Sequence, residues 1–313
     1  MAMKHLILPE QLKGAVFLPF MAELGSVDET DSVRIDFSGL RRITPGGLAA
    51  LSSTIMTWRK RGQSVDLCGF DQCPILGYLQ RMDLLKMLEI NLDEEFQRHA
   101  SKGRFVPVRR IEHDVQKMGA EVADCLAPGG AEYTHPLSNI HSLVWYVLTE
   151  TANNVRQHSS GSGFMTAQVN VTEGFVRLAI SDNGKGIRRS FLDAGLPWAE
   201  SLDDTSAILK ALESRVSSKG APTNEGVGLT LVRRLAELTD AWLLIVSGCG
   251  VVRIEPNQPL SSETLPDNAV YPGTLIAWVF PQNRVGAFDD KLHEAKEWAG
   301  LLQSKPNKTR FCS

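Results

Sequence analysis

The chain has 313 residues, 43% hydrophobic and 22% charged, a composition that is typical of globular proteins and a length that suits two domains. Its formal net charge of -3 offers no basic field for phosphate backbones, so we expect no nucleic-acid partner. No apolar run reaches the roughly 18 residues of a membrane helix and the N-terminus lacks a signal-peptide core, which predicts a cytoplasmic protein without a membrane partner.

The first hundred residues predict a small α/β layer domain. Residues 33–37 alternate apolar and polar side chains, as a half-buried strand does, and residues 64–68 form a second short strand. Between them, residues 46–61 carry apolar side chains at helical intervals and end before Gly62, in the position of a C-cap glycine. A strand, a helix and a strand in this order predict a parallel crossover unit.

A polar, charged segment separates this unit from the rest of the chain. We therefore predict a first domain over residues 1–92, a linker over 93–104, a second domain over 105–283 and a C-terminal helix and tail over 284–313. The elements predicted in the second domain and the tail are strands at 105–109, 164–171, 176–181, 242–246, 251–254 and 274–280, and helices at 112–126, 140–157, 228–239 and 286–303. Short turns between strands predict a largely antiparallel sheet with helices on one side.

One predicted helix carries a polar stripe. Glu150, Asn154 and His158 recur at a spacing of four, beside an apolar stripe that includes Leu148 and Val155. Taken alone, such a stripe is usually the solvated face of an amphipathic helix.

Two glycine motifs follow. Residues 182–187, Asp-Asn-Gly-Lys-Gly-Ile, come directly after a predicted strand; the glycines let the backbone approach a ligand closely, and Asp182 can accept a hydrogen bond from an exocyclic amine. A hairpin turn is the alternative, since Asn-Gly is a strong turn signal. Gly226-Val-Gly228-Leu229 then opens a helix, whose free N–H groups favour anionic phosphate.

In this order, the three motifs resemble the nucleotide-binding boxes of the GHKL family, which includes histidine kinases, anti-sigma-factor kinases and DNA gyrase B. The first motif is most similar to its form in anti-sigma and histidine kinases. The resemblance covers residues 105–281 and implies an α/β fold, a two-layer sandwich with a mainly antiparallel mixed sheet, that binds ATP and Mg²⁺.

The resemblance also implies roles for individual residues. Asn154 is the expected Mg²⁺ ligand, because a side-chain oxygen suits a hard cation. Asp182 is expected to bind the adenine amine with support from Thr274, and residues 188–225 to supply a lid. The full set of expected cofactor-binding residues is Asn154, His158, Asp182, Gly184, Lys185, Gly186, Gly226, Gly228, Leu229 and Thr274.

Glu150 is the expected catalytic residue. In family members that transfer or hydrolyse phosphate, the matching carboxylate is the base that activates a hydroxyl or water. The alternative is that Glu150 only orients Asn154 and the waters on Mg²⁺. Both roles remain open at this point.

The first domain resembles a STAS domain, the fold of anti-anti-sigma factors, over residues 33–40, 43–51 and 61–69. Members that are switched by phosphorylation carry Asp-Ser-Ser-Gly where this chain has Thr44-Pro45-Gly46-Gly47. Pro45 has no hydroxyl, so this position cannot accept phosphate. Thr44 and Pro45 instead predict an N-cap and the first residue of a helix.

Metal ligands outside a bound nucleotide are not expected. The five cysteines are an odd number without a CxxC pair, and the seven histidines show no HExxH spacing, so neither a disulfide framework nor a zinc site is predicted.

These features predict an ATP-dependent bacterial regulator. The leading hypothesis is a serine/threonine kinase of the anti-sigma type, a homodimer that acts on a regulatory protein partner such as a STAS-domain or sigma-factor-like protein. The alternatives are a non-kinase conformational switch or slow ATPase driven by ATP, and a histidine kinase that uses His113.

Overall fold

Two β-sheets organise the chain, whose computed structural model describes residues 3–214 and 227–302. The smaller sheet has three parallel strands in the order β1 (Met3–Ile7), β3 (Ser32–Asp36) and β5 (Val65–Cys68). Two short strands, β2 (Gln11–Leu12) and β4 (Arg42–Ile43), pair beside it. The helices of this N-terminal unit are α1 (Phe17–Gly25), α2 (Pro45–Lys60), α3 (Leu76–Arg81) and α4 (Leu84–Met87). The predicted crossover of strand, helix and parallel strand is confirmed.

Helix α2 begins where its capping residues predict. Thr44 adopts an extended conformation, its hydroxyl accepts a hydrogen bond from the backbone N–H of Gly47 at 3.4 Å, and Pro45 is the first helical residue. Beyond the last turn, Gly62 has φ +80°, a conformation that suits glycine. The Thr44 hydroxyl is thus engaged in the helix cap.

The larger sheet has seven strands, and every neighbouring pair in it is antiparallel. Its strands are β6 (Phe105–Arg110), β7 (Gly163–Asn170), β8 (Phe175–Asp182), β9 (Trp242–Gly248), β10 (Gly250–Ile254), β11 (Ser261–Thr264) and β12 (Tyr271–Pro281), in the order β11-β10-β9-β12-β8-β7-β6. The remaining helices are α5 (Val115–Leu126), α6 (Ser138–Asn154), α7 (Gly186–Asp193), α8 (Asp204–Ala211), α9 (Gly228–Leu238) and α10 (Phe288–Trp298). The prediction of an α/β fold with a mainly antiparallel sheet is confirmed.

The two faces of this sheet are buried in two different cores. Along β12, Ile276 and Trp278 pack with α5, α6, α9 and α10, whereas Tyr271 and Leu275 pack with the N-terminal unit. This alternation follows from the two-residue period of a strand. The second core contains α1 and α2, and α2 lies directly against β7, β8 and β12. The N-terminal unit therefore covers the sheet face that the sequence left without predicted helices.

Burial explains why α2 has no polar face. Nearly every residue of this helix is buried, including Leu48, Leu51 and Ile55 at 0% exposure, because it is enclosed between the two sheets. Alanines, glycines and small hydroxyl residues occupy many of the other buried positions, which lets both sheets approach the helix closely.

Several elements differ from the sequence expectation. Helix α1 was not predicted, because its side chains are mostly apolar and it contains Pro19, a residue that usually interrupts a helix. Helix α5 begins at Val115, three residues later than predicted, because Asp114 is its N-cap and accepts from the backbone N–H of Lys117 at 2.9 Å. Residues 93–104, the predicted linker, contain no helix or strand. Within residues 3–214 and 227–302, every helix falls short of the length and apolar character that a bilayer crossing requires.

The shared core predicts that the two sheets unfold together. Leu275→Ala removes a side chain of 0% exposure between β12 and α2, and we expect a loss of about 2–5 kcal/mol in unfolding free energy. Because Val33 and Ile35 belong to the same core, amide exchange should also accelerate in β3. Urea unfolding and hydrogen-exchange mass spectrometry measure both effects.

Val171→Ala is the control, since Val171 is 73% exposed and its loss should change stability by less than about 0.5 kcal/mol. If Leu275→Ala accelerated exchange in the seven-stranded sheet alone, the two sheets would not share a cooperative core.

Candidate functional site

A cavity of about 290 Å³ opens between α6, the ends of β8 and β12, and the first turns of α7 and α9. This volume lies near the lower end of the range for small-molecule pockets. Its lining comes from α6 and its extension, from β8 and β12, and from α7, α8 and α9. The lining residues relevant here are Glu150, Asn154, His158, Ser159, Asp182, Gly186, Ile187, Phe191, Gly228, Leu229 and Thr274. Motifs far apart in the sequence thus meet at one cavity.

Asp182 is the buried acid of this cavity. It is the last residue of β8 and is only 3% exposed. Burial raises the pKa of its carboxyl to about 7, and backbone N–H groups of Gly184 and Thr274 oppose this rise by hydrogen bonding to the carboxylate. The Gly184 bond is 2.8 Å long. The carboxylate therefore changes charge close to neutral pH.

Ser247, to which no sequence motif pointed, connects the elements around Asp182. Its hydroxyl accepts from the backbone N–H of Ile187 at 2.9 Å, lies 3.1 Å from the Thr274 hydroxyl and donates to the Gly273 carbonyl at 3.3 Å. It thereby joins β9 to β12 and to the first turn of α7. Because it stands inside an ordinary strand, only the tertiary structure reveals its position.

Two glycines permit close backbone contacts around Asp182. A Cβ on Gly184 would lie 2.0 Å from the carbonyl oxygen of Ser159, and a Cβ on Gly273 would lie 2.0 Å from that of Asp182. Gly273 also has φ +98°, which other residues rarely adopt. Gly184 was expected to bind the ligand, but it lies outside the cavity lining and holds the turn against the end of α6.

The end of α6 positions Asn154 and His158. After Asn154 the helix widens into one π-turn over Val155–Ser159, a feature that is frequent at functional sites, and Ser160 ends it with φ +57°. Both Asn154 and His158 line the cavity. The Asn154 side-chain Nδ2 is buried and has no hydrogen-bond partner within residues 3–214 and 227–302. An amide in this condition is suited to a polar ligand.

Glu150 lies one turn earlier on α6 and faces the start of α9. A Cβ on Gly228 would be 2.4 Å from its Oε2, so the glycine allows the carboxylate to approach the helix N-terminus. Burial raises the pKa of the Glu150 carboxyl, and the positive charge of Lys296 on α10 opposes the rise. Lys296 is, after Ser247, a second residue that affects the site and that the sequence motifs did not reveal.

Other predicted residues lie elsewhere. Lys185 does not line the cavity, since its Nζ pairs with Asp193 at 2.9 Å and faces a separate cleft. Gly226 lies outside the described residues, as do residues 215–225 of the predicted lid. The described part of that lid contains α7 and α8, where Phe191 packs edge-on against Trp198 at 5.0 Å between ring centroids.

His113, the alternative phosphoacceptor, does not lie on a helix. It precedes the Asp114 cap of α5, and its carbonyl oxygen accepts a hydrogen bond from the Arg156 guanidinium. The side-chain Nδ1 of His113 lies 3.3 Å from the same guanidinium.

Comparison with protein families assigns the same region. Residues 141–275 match the family model described as histidine kinase-, DNA gyrase B-, and HSP90-like ATPase. The matched span contains Glu150, Asn154, Asp182, Gly228 and Thr274. No curated protein matches the chain.

The close contact between Gly273 and Asp182 predicts that one added methyl group at Gly273 destabilises the fold. Gly273→Ala combines a positive φ with a Cβ 2.0 Å from the Asp182 carbonyl oxygen and 2.9 Å from its Oδ1. Since the backbone must shift, we expect a loss of more than about 2 kcal/mol in unfolding free energy. Urea unfolding measures it.

Gly174→Ala is the matched control, because Gly174 has φ +70° but no atom within 4 Å of the added Cβ. It should lose only about 1 kcal/mol, from backbone strain alone. Equal losses in the two variants would show that the contact with Asp182 is not tight.

Proposed function

We propose that the chain binds ATP with Mg²⁺ in the cavity beside Asp182, because residues 141–275 match the histidine kinase-, DNA gyrase B-, and HSP90-like ATPase family. We further propose that it is a bacterial regulatory protein kinase of the anti-sigma type. The observation that carries the proposal is the buried Asp182 carboxylate, which faces the same cavity as Glu150 and Asn154.

Asp182 is the proposed partner of the adenine amine. A buried carboxylate with hydrogen bonds from two backbone N–H groups is fixed in position and keeps further lone pairs for a donor. Thr274 adds a hydroxyl on the same wall, held 3.1 Å from the Ser247 hydroxyl. Apolar side chains such as Ile180 and Ile276 line the same cavity and suit the faces of a base.

The proposed triphosphate subsite lies toward Glu150 and α9. The first turn of α9, which begins at Gly228, presents backbone N–H groups that favour anions. Within the described residues, no three acidic, histidine or cysteine side chains gather to hold a metal by themselves. Asn154 lines the cavity, and Mg²⁺ in nucleotide sites takes few protein ligands, all of them oxygens, so the side-chain oxygen of Asn154 fits a Mg²⁺ carried by the phosphates. When bound, Mg²⁺ neutralises phosphate charge.

Asp182 predicts how ATP affinity depends on pH. The amine of adenine favours the ionised carboxylate, so affinity should be present above the pKa of about 7 and decline as the pH falls from 8 to 6. Asp182→Asn should weaken ATP binding at pH 8 by about tenfold or more and remove this part of the pH dependence. Isothermal titration calorimetry at both pH values measures it.

Glu150, His158 and ATP itself also carry titratable groups in the cavity, so the comparison of wild type with variant isolates Asp182. Asp193→Asn is the control, because Asp193 pairs with Lys185 outside the cavity. Unchanged affinity in Asp182→Asn at both pH values would contradict the adenine assignment.

The proposed kinase acts on another protein. In the N-terminal unit the Thr44 hydroxyl caps α2, and Pro45 is buried, so this position is not an accessible phosphoacceptor. Glu150 is the proposed base, since burial raises the pKa of its carboxyl toward the working pH. A STAS-domain or sigma-factor-like partner is the proposed substrate.

Glu150→Gln distinguishes the kinase from an ATP-driven switch. With γ-labelled ATP and a bacterial extract, the wild type should label a partner protein, and Glu150→Gln should lower the rate by about 100-fold or more while keeping ATP affinity within threefold. Autoradiography and ATP titration give the two measurements. Release of free phosphate with no labelled protein would favour a switch or slow ATPase, and acid-labile label on this chain would favour the histidine kinase.

A further inference from the structure

We infer that the N-terminal unit is a structural part of the nucleotide site, because it braces the segment from Val270 to Thr274 that holds Asp182. Tyr271 is the positioning residue of this arrangement. The inference rests on the proposed binding of adenine by Asp182.

The braced segment contains an irregularity in β12. Tyr271 pairs with Gly248 and Thr274 pairs with Ser247, so two residues of β12 bulge out between adjacent positions of β9. A bulge aims the residues that follow it, and here Thr274 directs its backbone N–H to the Asp182 carboxylate. The path of the bulge thus determines one of the two hydrogen bonds that support this charge.

Tyr271 ties the start of the bulge to β8 by a hydrogen bond and packs in the core that contains α2. Its hydroxyl lies 2.6 Å from the hydroxyl of Ser181, the neighbour of Asp182. The hydroxyls of Ser53 and Thr54 on α2 lie close enough to influence the pKa of Tyr271, although neither forms a hydrogen bond of regular geometry in the described chain. All four residues are at most 1% exposed, and none of them lines the cavity.

Helix α1 supports the same segment from a second direction. Gly25, its last residue, packs so closely that a Cβ would lie 2.6 Å from the carbonyl oxygen of Val270 and 2.9 Å from its carbonyl carbon. These are backbone atoms, so a larger side chain at Gly25 must move the strand or the helix. The segment from Val270 to Thr274 is therefore held at its start, by α1 at Val270 and by packing against α2 at Tyr271.

Two variants disturb the brace without changing a residue of the cavity lining. Tyr271→Phe removes the hydroxyl that bonds Ser181, and Gly25→Ala pushes against Val270 from the N-terminal unit. Each should weaken ATP binding about fivefold or more. Because Asp182 distinguishes the adenine amine from the carbonyl of guanine, each variant should also reduce the preference for ATP over GTP. A general loss of stability would not change this ratio.

Each variant has a matched control in the N-terminal unit. Tyr78→Phe removes a buried tyrosine hydroxyl that has no partner in the described part of the chain. Gly77→Ala adds a methyl group that meets only Phe96 at an ordinary 3.5 Å. Both controls should keep the wild-type affinities for ATP and GTP.

Calorimetry with ATP and GTP, and hydrogen exchange of the peptide that contains Thr274 in nucleotide-free protein, test the inference on the full chain. Tyr271→Phe and Gly25→Ala should lower the ATP-to-GTP preference and speed this exchange, whereas the controls should do neither. Unchanged preference and unchanged exchange in both variants would overturn the inference. If the wild type bound no ATP, the proposed function would fail, and exchange alone would still decide whether the N-terminal unit braces the bulge.

Discussion

The carboxylate of Asp182 lies in the protein interior, and the surrounding structure is arranged to tolerate its charge there. Removal from water raises the pKa of this group to about 7, and the N–H groups of Gly184 and Thr274 restore part of the lost solvation. The segment that carries the Gly184 N–H packs against the backbone of Ser159. The segment that carries the Thr274 N–H packs, at Gly273, against the backbone of Asp182 itself. Gly184 and Gly273 thus permit the close backbone contacts that support the acid.

Strand β12 connects the surroundings of Asp182 to the core on the other face of the sheet. Because side chains alternate along β12, residues such as Ile276 belong to the core under the cavity, and Tyr271 and Leu275 belong to the core shared with α2. Helix α2 is buried from both sides, so it has no free face on which to move independently. A change in the N-terminal unit can therefore reach the cavity through packed atoms and needs no hinge.

Capping residues and the spacing of polar side chains predicted the features that depend only on neighbouring residues in the sequence. Thr44 and Gly62 mark the ends of α2 by their capping and backbone preferences, and the spacing of Glu150 and Asn154 on one helix follows from its period. The placement of the N-terminal unit on the sheet could not be predicted, since it depends on which buried faces meet. Ser247 escaped notice for the same reason, because a serine within a strand has no signature until its neighbours are known.

The balance of charge around Glu150 bears on its chemical role. Burial favours the protonated carboxyl, whereas Lys296 and the N-terminus of α9 at Gly228 favour the ionised form. In the proposed complex, a triphosphate at this helix end brings negative charge and raises the pKa of Glu150 again. A carboxylate that gains proton affinity as the nucleotide binds has a property that the proposed general base requires. In the proposed kinase, this shift supports the role of Glu150 as the base over a role limited to orienting Asn154.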